Sequence, residues 1–227
     1  MFKVSLLIII LNNIKMNVFV LTTGRTASTS FMKACNYLTN YTSGHETLCR
    51  MVGDERLMYP ENHIEVDNRL SFHLGGLDKK YGNDALYVHL LRDPNKVAKS
   101  YNQRWHGFHS IMTGFTQSIK YLKVKNLTEV QKYDLCAEYI KVTNDNIDLF
   151  LKDKNKSIKI NVENIAEDFK IFWNFINGEG DIEGALKEFK VKYNSTDLNL
   201  IEDQKIRKKE INEKSILFKL KRWLKLF

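Results

Sequence analysis

A chain of 227 residues, 43% of them hydrophobic and 11% aromatic, can bury one sizeable core and does not require two. Its formal net charge is +8, yet nine Lys or Arg face two Glu between Lys205 and Phe227, so the body is nearly neutral; this argues against a nucleic-acid-binding surface built into the whole domain. Cys35, Cys49 and Cys136 are too few and too scattered for a disulfide framework or a zinc site with paired ligands, which fits a reducing, cytoplasmic compartment.

Val4 to Leu11 is an apolar run behind a single Lys3, far short of the roughly 20 residues needed to cross a bilayer. Asn12 to Lys15 offers no small-residue cleavage site, so residues 1–15 read as an N-terminal extension or an edge strand. Asn17 to Leu21 is a short β-branched run bounded by hydroxyl-rich residues, the pattern of a buried parallel strand. A helix should start near Ser28, with Phe31, Ala34, Cys35 and Leu38 at helical spacing. Ala85 to Leu91 predicts a second strand, followed by a helix over about Asn95 to Trp105. A helix over Val130 to Leu151, a strand over Ser157 to Val162 and a helix over Ile165 to Phe175 complete the pattern. Alternation of this kind predicts a single α/β domain over residues 16–204, P-loop-like, with a mostly parallel central sheet flanked by helices and ligand chemistry at the strand C-termini.

The first strand-to-helix loop, Thr22-Thr23-Gly24-Arg25-Thr26-Ala27-Ser28-Thr29-Ser30, carries almost no large side chains. Small residues let backbone N–H groups, hydroxyls and a helix N-terminus converge on one anion, and Arg25 adds a fixed positive charge. It is not a Walker A loop, which requires a second glycine and a lysine. A plain Ser/Thr-rich turn with Ser28 as helix cap is the structural alternative. The second strand ends in Arg92-Asp93-Pro94, and Ser100 follows Arg92 by eight residues on the next helix.

Together these two motifs resemble the PAPS-dependent sulfotransferases, and arginine rather than lysine at position 25 is similar to their carbohydrate-acting branches. The resemblance covers most of Met16 to about Phe189. It implies that Thr23, Gly24, Arg25, Thr26, Ala27, Ser28, Thr29 and Ser30 cradle the 5′-phosphosulfate of PAPS, and that Arg92 and Ser100 hold the 3′-phosphate that remains in the product PAP. Ala27 stands where the family commonly has glycine. Transfer of a sulfuryl group needs less charge neutralisation than transfer of a phosphoryl group, so no metal is implied.

In-line transfer to a hydroxyl needs a base for the acceptor proton and a cation for the leaving phosphate. Arg25 suits the second role. For the first, Gly44-His45-Glu46-Thr47 lies where the resembling enzymes often carry a catalytic Glu or His, which selects Glu46 with His45 as the alternative. Pro60 to Arg69 is dense in ionisable groups: either it recognises acceptor hydroxyls, with Glu65 or His63 as further candidate bases, or it is a solvated helix start laced with charge pairs. Trp105, His106, Phe108 and His109 suit either a sugar ring or the core. In the tail, Ile216, Leu220, Trp223 and Phe227 share one helical face while Lys219, Lys221, Arg222 and Lys225 fall elsewhere. Residues 205–227 therefore read as a basic amphipathic helix. Over residues 211–227 it would meet an anionic membrane at its inner face, as a glycolipid acceptor would require, or cover an apolar patch on the body or on a second copy in a homodimer. Two rival functions keep the same loops: a P-loop-like nucleotide kinase, and a non-catalytic membrane-surface binding protein.

Overall fold

Five short strands, Val18–Leu21 (β1), Thr42–His45 (β2), His63–Val66 (β3), Leu86–Leu91 (β4) and Ser157–Asn161 (β5), form one sheet in the order β2-β3-β1-β4-β5. Every pairing is parallel. The computed structural model describes residues 16–105, 110–191 and 193. The extension 1–15, His106, Phe108, His109 and the tail 205–227 lie outside the described residues.

β1 is apolar at every position because it is covered on both sides, with all four residues at 0% exposure. On one side Val18 and Val20, with Ile64 and Val66 of β3 and Val88 and Leu90 of β4, pack against Phe31, Ala34 and Cys35 of Ser28–Cys35 (α1) and Phe169, Phe172 and Trp173 further along the chain. On the other, Phe19, Leu21 and Tyr87 pack against Leu77 of Leu74–Tyr81 (α2) and Ile147 and Leu151 near the end of the chain's longest described helix. Pro94–Asn102 (α3) follows β4, with Pro94 in its first turn and Asp93 capping it by accepting from Lys96 N. The one-turn Ile111–Gly114 (α4) leads to Glu129–Leu151 (α5), opened by a reciprocal Thr128–Gln131 capping box. Ile165–Phe175 (α6) and Ile182–Lys187 (α7) close the first layer.

The α/β fold with an all-parallel sheet is as expected, but two of its strands are not. No strand is expected over Thr42–His45, nor over Pro60 to Arg69, read as an acceptor-recognising segment or a solvated helix start; both contain strands. β3 escapes notice because His63 and Glu65 alternate with Ile64 and Val66, yet all four are buried. α1 also ends at Cys35, leaving Leu38 as a core residue beyond the helix. No helix among the described residues is long and apolar enough to cross a membrane.

This strand order fixes where a ligand can sit. The chain leaves β1 toward β2 on one side and leaves β4 toward β5 on the other. The crevice outside the C-terminal ends of β1 and β4 is thus the switch point at which open α/β sheets bind ligands. The two sequence motifs start there, at Thr22 and Arg92.

Candidate functional site at the strand C-termini

The loop after β1 is a tight, internally bonded turn. Gly24, Arg25 and Ala27 have φ of 81°, 62° and 56°, three left-handed residues within four. Such sequences of right- and left-handed residues turn successive N–H groups into one concavity. Thr22 Oγ1 accepts from Gly24 N at 3.2 Å and makes a close hydroxyl contact with Thr26 Oγ1. The carbonyl of Thr23 accepts two phenols, Tyr101 Oη at 2.6 Å and Tyr139 Oη at 3.0 Å, and that of Arg25 accepts Arg92 Nη1 at 2.9 Å. The carbonyls of Thr23 and Arg25 are thus held by side chains from outside the loop, which fixes the turn. Ala27, not Ser28, is the N-cap of α1 and contributes no side-chain cap. Ser28 stands in the first helical turn, and its Oγ lies 3.1 Å from His45 Nε2.

Gly24 is required twice over. Its φ is left-handed, and a Cβ would sit 2.4 Å from Tyr101 Oη and 3.1 Å from Asn68 Nδ2. Thr23 and Thr26 are buried, as is Ser30 on α1, while Thr29 is half-buried. The whole predicted cradle therefore lies in one structure, with β3's following turn, through Asn68, at its side.

The two motifs are bonded to each other. Besides the bond from Arg92 to the Arg25 carbonyl, Arg25 Nε donates to Ser100 Oγ at 3.0 Å. Arg25 thus leans out of its own loop toward α3, touching the serine expected to hold a second phosphate. Burial, and next Arg104, lower the pKa of Arg25; Tyr101 opposes this and Arg92 adds to it. Burial also lowers that of Arg104. An arginine stays protonated regardless; burial is the main cause at both, and at Arg25 the nearby guanidinium groups of Arg104 and Arg92 add like charge that an anion would offset. The sequence pointed to Arg25 and Arg92 but not to Arg104, which reaches the site only because the turn after α3 brings it back, with its N–H on the Tyr101 carbonyl at 2.8 Å.

The candidate base turn follows β2. His45 joins the cradle through Ser28. Glu46 has φ 55°, donates its N–H to Val66 O at 3.2 Å, and places Oε2 2.7 Å from Arg69 Nη1. Both of these side chains are about one-third exposed, so the carboxylate is oriented by its partner yet open to a ligand. The other two candidate bases are elsewhere. His63 and Glu65 are buried inside the sheet, bonded to each other at 3.0 Å, and neither opens onto the crevice. The reading of Pro60 to Arg69 as solvated or acceptor-facing fails for these two because β3 runs through the interior. Arg69, from the same segment, does reach the site. Trp105 is buried in the cluster of α3, α4 and α5, so its core reading holds.

No family model matches the chain, and no curated protein sequence matches it.

Proposed function

We propose that this protein is a PAPS-dependent sulfotransferase that moves a sulfuryl group to a hydroxyl of a carbohydrate or glycolipid. The observation that carries the reading is the direct hydrogen bonding of three loops at the switch point: cradle to second motif through Arg92, Arg25 and Ser100, and cradle to base turn through Ser28 and His45. A donor with phosphates at both its 5′ and 3′ positions needs two anion sites at a fixed separation. The loop after β1 offers N–H groups and hydroxyls for one, and Arg92 with Ser100 offers a cation and a hydroxyl for the other.

In this reading Glu46 takes the acceptor proton as the new O–S bond forms. Arg69 holds its carboxylate in one orientation, and Arg25 stabilises charge on the departing phosphate. Atoms balance without a further reactant: the S–O bond to PAP breaks, the sulfuryl group passes to the acceptor oxygen, and the proton leaves on Glu46. Buried Thr23 and Thr26 and the packed Tyr101–Tyr139 pair keep the cradle in shape before ligand arrives.

Calorimetric titration with PAP, ADP and ATP tests the donor site. PAP should bind best, and Arg92→Gln and Ser100→Ala should weaken PAP by about 10- to 100-fold each, the loss of a charge-assisted bond of about 1.5–3 kcal/mol. ADP, without a 3′-phosphate, should bind the variants and wild type alike. Metal-dependent preference for ATP would instead favour a kinase, and absence of all nucleotide binding a non-catalytic protein. For the base, Glu46→Gln should lower PAPS turnover by roughly 100- to 10,000-fold with PAP affinity unchanged. Near-normal turnover would move the role to His45.

A further inference from the structure

A fully buried carboxylate lies directly beneath the base turn, and the mechanism above does not use it. Glu65 is on β3, and its side chain has 0% exposure. Its Oε1 accepts the backbone N–H of Thr47 at 2.7 Å, and its Oε2 accepts Thr47 Oγ1 at 2.7 Å and faces His63 Nε2 at 3.0 Å. His63 in turn lies 2.8 Å through Nδ1 from Thr42 Oγ1 and stacks on Tyr59 with ring planes 9° apart.

Joining β2 to β3 does not require this arrangement. On the opposite face Ile64 and Val66 serve the same strand with apolar packing and no desolvated charge. The polar network is also confined to one place: both protein bonds from Thr47 end on Glu65, and Thr47 is the residue after Glu46. Glu46 is thereby bracketed, its own N–H on the Val66 carbonyl at 3.2 Å and the next residue on Glu65. Its left-handed φ of 55° is unfavourable for a non-glycine residue and persists only where the surroundings over-determine it. Room for the network is made at Gly44, where a Cβ would lie 2.0 Å from Thr47 Oγ1 and 2.9 Å from Glu65 Oε2.

We propose that Glu65 is a positioning residue: from inside the sheet it clamps Thr47 and so fixes the strained backbone of Glu46, aiming that carboxylate at the acceptor. The proposal rests on the reading of Glu46 as the base. It assigns a role to a buried acid that exposure alone would dismiss as core, and it makes the Thr47 hydroxyl a support of the Glu46 backbone although Thr47 itself lies at the surface.

Thr47→Val is the informative change, because it keeps the shape of an exposed residue and removes one of the two bonds to Glu65; Thr47→Ser keeps both. The assay is PAPS consumption with 4-methylumbelliferyl β-D-galactoside or water as acceptor, beside PAP titration and amide hydrogen exchange of Glu46 and Thr47. Thr47→Val should lower turnover about tenfold, leave PAP affinity within twofold, and accelerate exchange at both amides. Thr47→Ser should match wild type, and in a Glu46→Gln background Thr47→Val should cost nothing further, since the group being aimed is gone. Normal turnover in Thr47→Val, or an equal loss in the Glu46→Gln background, overturns the proposal while leaving the donor reading intact. Were the wild-type chain to consume no PAPS, the sulfotransferase reading would fail; the clamp would then be judged on exchange, and unchanged protection of Glu46 and Thr47 in Thr47→Val would overturn it as well.

Discussion

Ala27 carries backbone strain into the turn after β1. Its left-handed backbone, φ 56° and ψ 26°, is one that glycine adopts freely and alanine only at a cost of about 1–2 kcal/mol. Ala27→Gly relieves it but adds about 0.4–1 kcal/mol of unfolded-chain entropy, so urea unfolding should find it within about 1 kcal/mol of wild type, with PAP affinity retained. Ala27→Val, β-branched in the same conformation, should be clearly less stable and bind PAP more weakly. Equal behaviour of the two variants would mean that residue 27 is not held in the left-handed region. Small side chains and hydroxyls made this loop legible in the sequence. Arg104 and Asn68 were not legible, because nothing in a one-dimensional pattern says which turn folds back on which loop.

Among the elements, β1, β4 and β5 were legible for a simple reason: strands covered on both faces by helices become continuous apolar runs. β3 was hidden because His63 and Glu65 are satisfied by each other and by Thr42 and Thr47 rather than by water, and β2 because none of its residues is fully buried and Ser43 and His45 bond to α1. β4 carries a related case in His89, which has 0% exposure. Its Nδ1 lies 3.0 Å from Asp148 Oδ1 and its Nε2 lies 3.1 Å from Asn144 Oδ1, both on α5, and Asp148 also pairs with Lys159 of β5 at 2.8 Å. One imidazole thus ties strand to helix. Burial lowers its pKa, although Asn144 and Asp148 pull the other way. The folded value lies below the ordinary one, so the unfolded chain takes the proton first as pH falls. The contribution to stability is complete above about pH 6.5 and is lost on acidification below it. Wild type should therefore lose unfolding free energy between pH 7.5 and 5.5 more steeply than His89→Gln, which starts lower but has no proton to gain. Parallel profiles for the two proteins would remove His89 from the account.

At the scale of the whole molecule, the parallel sheet contains no hairpin among the described residues. The nearest paired strands, β2 and β3, meet with Thr42 opposite His63, while β1 must find Ile64 on one side and Leu86 on the other, and β4 waits for Ser157. Loop closure precedes reward in such a topology, so refolding after dilution from urea should take milliseconds to seconds or longer, with a yield that falls as protein concentration rises. Stopped-flow fluorescence would show this, and sub-millisecond recovery independent of concentration would contradict it. The two phenols on the Thr23 carbonyl add a matter of timing. Tyr101 comes from α3 and Tyr139 from α5, so the loop that begins at Thr22 acquires its second support only after more than half of the chain has been synthesised. A nascent chain on the ribosome that already displays every residue of the cradle should therefore not hold nucleotide until α5 has emerged and docked.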